Sequence, residues 1–95
     1  MRSDLGVRYR NVRRQYLDDV LDLLSEVDHN NAAEFSLAVQ MAWSAVRFNQ
    51  MDLAKVVGVG SPAVSRWVSD GSVPHRSRER AAVVAWLIGA VRRAE

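Results

Sequence analysis

Cysteine is absent from these 95 residues, so neither a disulfide framework nor a thiolate metal site can form. Histidine occurs twice, as His29 and His75. Asp28, His29 and Glu34 are the nearest thing to a ligand group, which is too little for a zinc site, and neither a metal nor a cofactor is expected. There is no glycine-rich phosphate loop after a strand, and the two histidines fall in separate loops. No catalytic constellation can be assembled, so a non-enzymatic protein is expected. Long hydrophobic runs are also missing. The longest, Ala81 to Val91, is eleven residues, against about 20 needed to span a bilayer. The start of the chain does not resemble a signal peptide, which makes a cytoplasmic location the expectation. Strand alternation, internal repeats and low-complexity segments are absent too.

Apolar residues make up 48% of the chain and charged residues 25%, an ordinary globular composition for one small domain. Net charge is only +2, but the charges are segregated. Residues 1 to 15 carry Arg2, Arg8, Arg10, Arg13 and Arg14 against Asp4 alone. Residues 16 to 34 carry six acids and no base, and residues 35 to 95 carry eight bases against four acids. Twelve of the thirteen basic residues are arginine, the side chain suited to bidentate contacts with phosphate.

Periodicity predicts an all-α chain of five helices. Residues 1–8 lack a clear period and read as a flexible basic arm, followed by a single helical domain over 9–95. A helical stripe runs from Tyr9 through Val12, Tyr16, Val20 and Leu23 to Val27, with Asp18, Asp19, Asp22 and Glu26 on the other face. A second helix is predicted over 32–48, on a stripe of Phe35, Ala38, Val39, Ala42 and Val46. The last is predicted over 77–93 and is apolar nearly all round between Ala81 and Val91, so it must be buried on more than one side. Trp43, Trp67 and Trp86 sit at apolar spacing and read as core or interface residues.

The chemistry concentrates in residues 49–74, NQMDLAKVVGVGSPAVSRWVSDGSVP. Asn49 is a good N-cap for a short helix over 50–57, with Met51, Leu53, Ala54 and Val57 as its apolar face. Gly58 is placed to end that helix in a left-handed conformation. Ser61 then caps a second helix over 61–69, with Pro62 at its first position. Val64, Trp67 and Val68 are its inward residues, and Ser61, Ala63, Ser65 and Arg66 face outward. Asp70-Gly71 ends it and Pro74 prevents continuation. A helix, a tight turn and a second helix whose exposed start is slim and polar make a helix-turn-helix pattern over 49–70.

The segment LAKVVGVGSPAVSRW resembles the core of the lambda-repressor-like helix-turn-helix family, of the Cro and xenobiotic-response-element type. The resemblance extends over about residues 35–91 and is strongest across 49–67. It implies a lambda-repressor-like domain carrying an extra N-terminal helix. It implies that Gln50 faces DNA at the start of the first motif helix, and that Ser61, Pro62, Ser65 and Arg66 face the major groove. Gly60 and Pro62 stand where hydroxyl or amide side chains are common in the family, so one side-chain base reader is missing.

The expected function is sequence-specific binding of double-stranded DNA by a homodimeric transcriptional repressor that reads the major groove with helix 61–69. Arg66 is the candidate for a bidentate contact with guanine, and Pro62 and Ala63 offer apolar surface to a thymine methyl. His75, Arg76, Arg78 and Arg80 are candidates for flanking phosphates, and the N-terminal arginines for an arm reaching a minor groove. Trp86, Leu87, Ile88 and Val91 of the last helix, together with the N-terminal helix, are the expected dimer interface. The acidic helix 16–28 should point away from DNA, available to the arginines of a second subunit or to another regulatory protein. The alternative from a different class is a protein-interaction module, an antitoxin or antiactivator built on the same fold.

Overall fold

Five α-helices follow one another in the computed structural model, which describes residues 2–95, with side chains from residue 4. They are α1 (Arg2–Glu26), α2 (Ala32–Val46), α3 (Gln50–Val57), α4 (Ser61–Ser69) and α5 (Ser77–Ala94). Among the described residues there is no strand and no helix long and apolar enough to cross a membrane. The molecule is elongated, 51 × 25 × 20 Å. Its long dimension comes from α1, whose 25 residues extend roughly 37 Å at the standard rise.

One core lies between the helices. Leu17, Val20 and Leu24 of α1 meet Phe35, Ala38, Val39 and Ala42 of α2, and α5 closes the layer with Val83, Val84, Leu87 and Val91. The helix pairs α2–α5 and α1–α5 form the two largest contacts, and α3 and α4 pack on each other at one end of this arrangement. α5 is therefore buried from two sides, as its all-round apolar sequence requires, but both sides belong to this chain. The α5 part of the expected dimer interface is corrected accordingly. Leu87 and Val91 have no exposure at all, and Trp86 and Ile88 are half-buried against the same core, so these four side chains are spent mainly on this chain's own core.

The N-terminus also differs from expectation. Residues 2–8, predicted to be an arm, form the opening turns of α1; Met1 lies outside the described residues. Nothing in Asp4–Tyr9 stops a helix, because the one glycine, Gly6, weakens it by only about 1 kcal/mol and Asp4 suits its first turn. Every described residue from Asp4 to Tyr16 except half-buried Gly6 is exposed. Where α1 meets the end of α5, the Glu95 carboxyl is held above its ordinary range. A hydrogen bond with Asp18 is the main cause, followed by partial loss of water and by the charge of Asp18.

α2 begins at an Asn31 cap, whose side chain accepts from the Glu34 backbone N–H at 3.1 Å. It ends at Val46, two residues short of the predicted boundary. Arg47 turns left-handed there (φ 46°) and donates its N–H to the Trp43 carbonyl, while its guanidinium lies 5.1 Å over the Trp43 ring. This early turn drives Phe48 into the core, edge-on to Trp43 at 5.3 Å and to Trp86 at 5.6 Å. Left-handed backbone at a non-glycine residue costs about 1–2 kcal/mol, and burying the Phe48 ring offsets it.

Candidate nucleic-acid interface

α3, the turn and α4 form one unit whose local structure follows from its residues. Asn49 caps α3, its side-chain oxygen accepting from the N–H groups of Met51 (3.0 Å) and Asp52 (3.1 Å). Leu53 and Ala54 are buried, whereas Met51 is 62% exposed. Met51 cannot share the inward face with Leu53, because two residues apart on a helix point to nearly opposite sides. Gly58 closes α3 at φ 83°, its N–H reaching the Ala54 carbonyl at 2.8 Å. The Val59 N–H reaches the same carbonyl at 3.0 Å.

α4 spans Ser61–Ser69 as predicted, but its cap lies one residue earlier. Gly60, not Ser61, is the N-cap, no side chain caps the helix, and Pro62 occupies its second position. The physical consequence is useful. Ser61 is not spent on capping, and its hydroxyl is exposed together with Pro62, Ser65 and Arg66. On the opposite side Val64 and Trp67 are buried, Trp67 standing edge-on to Phe35 at 6.4 Å.

Two α2 residues that periodicity alone did not single out hold the far end of α4. Gln40 donates from its amide to the Val68 carbonyl, and the Ser36 hydroxyl donates to the Gly71 carbonyl at 3.2 Å. These satisfy carbonyls that a helix end leaves without partners. The signal was present: Ser36 and Gln40 are polar residues one turn apart on a mostly apolar helix.

Arg66, Ala63 and His75 line one open groove of about 490 Å³, between α4 and the loop that precedes α5, together with Val59, Trp67 and Val73. His75, Arg76 and Arg78 are all exposed, Arg76 as the N-cap of α5 and Arg78 in its first turn. Gln50 opens α3 and is half-buried, outside this groove. Arg8, Arg10, Arg13 and Arg14 are displayed along the α1 helix instead of on a mobile arm.

Arg80 belongs to a different class, and its expected role at phosphate is corrected. Its Nε donates to the His29 carbonyl (2.9 Å), and Nη1 to the carbonyls of Pro74 (2.7 Å) and His75 (2.9 Å). Nη2 donates to the Asn30 side chain (3.1 Å). The guanidinium thus ties the α1–α2 loop to the α4–α5 loop and sets the backbone on which His75 is presented. Ser77 reinforces the tie through the Asn30 side chain (2.7 Å) and the His29 ring (3.3 Å).

The arrangement provides a slim polar helix face, one long donor on it, and cationic side chains flanking it. No family model, curated protein or solved structure matches this chain.

Proposed function

We propose that this chain is a sequence-specific double-stranded-DNA-binding regulator of the helix-turn-helix type, a repressor that inserts α4 into the major groove and acts as a homodimer. The observation that carries this reading is the division of α4. Val64 and Trp67 anchor it from behind, while Ser61, Pro62, Ser65 and Arg66 stand free on a face narrow enough to enter a groove. Arg66 is the base reader, His75, Arg76 and Arg78 contact flanking phosphates, and Gln50 adds a phosphate contact at the N-terminus of α3. With so few base readers per copy, two copies on half-sites about one helical turn apart supply the affinity and specificity.

Selection from random duplex DNA tests this reading. The expected result is an enriched palindrome, with Arg66→Ala losing about 1–3 kcal/mol and relaxing one base position. Binding without enrichment, steeply weakened by salt, would reduce the reading to electrostatic attraction.

A second reading, a protein-interaction module, is favoured by one specific feature. Met51 and Val56 on α3 are 62% and 61% exposed, and a phosphate backbone has little use for large apolar side chains. Failure of the selection combined with loss of a protein partner in Val56→Asp would favour it.

A further inference from the structure

The first half of α1 exposes an apolar seam that the monomer leaves uncovered. Leu5, Tyr9, Val12 and Tyr16 are 66%, 68%, 68% and 44% exposed. They follow one another at steps of four, three and four residues, the spacing of a helix–helix seam. Continuing the rhythm gives Asp19 and then Leu23, itself 51% exposed. The core residues Leu17, Val20 and Leu24 lie about a quarter of the helix circumference away, so the seam and the core face are separate surfaces of one helix. Near Leu23 the seam runs into an open groove of about 290 Å³, lined by Leu23, Val27, Leu37 and Met41 and rimmed by Glu26 and Glu34.

We propose that α1 pairs antiparallel with α1 of a second copy of this chain, each N-terminal half lying over the C-terminal half and the Leu37–Met41 groove of the other. Charge chooses both the occupant and the direction. The seam's first half is flanked by Arg8, Arg10, Arg13 and Arg14, and its second half by Asp18, Asp19, Asp22 and Glu26. A parallel pair would set arginine against arginine and acid against acid; an antiparallel pair matches each basic half to an acidic one. In the register that aligns the seam, Leu5 lies over Leu23 of the other copy and Val12 over Tyr16. Tyr9 lies over Asp19, whose carboxylate can accept the phenolic hydrogen, and Arg8 falls beside Asp22. This interface gives the dimer of the reading above the surface that α5 does not supply. It is tested without DNA, so its failure and the failure of DNA recognition are distinguishable.

Sedimentation equilibrium on the full chain should show a dimer. Val12→Glu should weaken it by about a hundredfold or more with helical content unchanged, because Val12 contributes nothing to the core. Arg8→Glu and Asp22→Arg should each weaken the dimer, and the two together should restore it. Because the natural chain has no cysteine, direction can be read from Leu5→Cys and Leu23→Cys proteins mixed and oxidised. The expected product links position 5 to position 23. A 5–5 link overturns the antiparallel arrangement, and a dimer indifferent to Val12→Glu overturns the interface. A wild-type chain that stays monomeric at every concentration overturns the proposal and assigns the seam to a different protein.

Discussion

α4 and the first half of α1 meet solvent in opposite ways. α4 turns Val64 and Trp67 into the chain and shows water serines, a proline and an arginine. α1 shows water Leu5, Tyr9, Val12 and Tyr16, none of them used by the core. Amphipathic helices are stabilised by burying one face. For α4 that requirement is met within the chain, so its exposed face is free to be shaped for a ligand. For the start of α1 it is not met within the chain, so an apolar partner outside would complete it. The same periodic pattern thus marks a packing surface in one helix and an unfilled one in the other.

Substitutions can sharpen that contrast. The largest effect is expected at Phe35, fully buried and edge-on to Trp67. Phe35→Ala should cost about 3–5 kcal/mol and loosen the seating of α4, read as a lower urea midpoint and faster amide exchange in α4. A protein that tolerated this change would show that α4 is not held from behind.

Next comes Arg80→Ala, which leaves the carbonyls of His29, Pro74 and His75 without this donor and the Asn30 side chain with Ser77 alone. It should lower stability by about 1–3 kcal/mol, whereas the exposed Arg66→Ala should stay within about 0.5 kcal/mol. Thermal unfolding of the two proteins separates a structural arginine from a free one. Arg80→Lys should not recover the loss, because an ammonium cannot reproduce the planar fork.

Gly58→Ala should give a smaller loss than Phe35→Ala, about 1–2 kcal/mol, and the cause would be backbone alone. At φ 83° a side chain is strained, although a Cβ there would meet nothing within 4 Å. Gly58→Asn should cost less than Gly58→Ala in denaturant titrations, since asparagine tolerates the left-handed region better.

Helix existence was legible because its signals are local. Asn31 and Asn49 as caps, Gly58 as a stop and the stripe of α2 all act within a few residues. The boundary of α2 was less legible, because Arg47 adopts a left-handed turn without a glycine in order to seat Phe48 against Trp86, 38 residues away in the sequence. The N-cap of α4 moved from Ser61 to Gly60, a shift of one residue that only backbone geometry decides. The residues of the candidate interface on α4 were readable from the motif. Arg80 was not separable from Arg76 and Arg78, since all three look like one basic cluster until the loop bearing His29 and Asn30 is folded against it.

By itself, the sequence determined an all-helical chain, the places where four of its five helices start or stop to within about two residues, and the polar face of α4. These depend on caps, turns and periodicity, which act over one or two helical turns. Only the tertiary structure decided that Val83, Val84, Leu87 and Val91 of α5 are buried within their own chain, that Arg80 is a clasp between two loops, and that the apolar residues opening α1 are left uncovered. Each of those facts is a contact, made or missing, between residues far apart in the chain, and periodicity reports that a face needs covering without reporting what covers it.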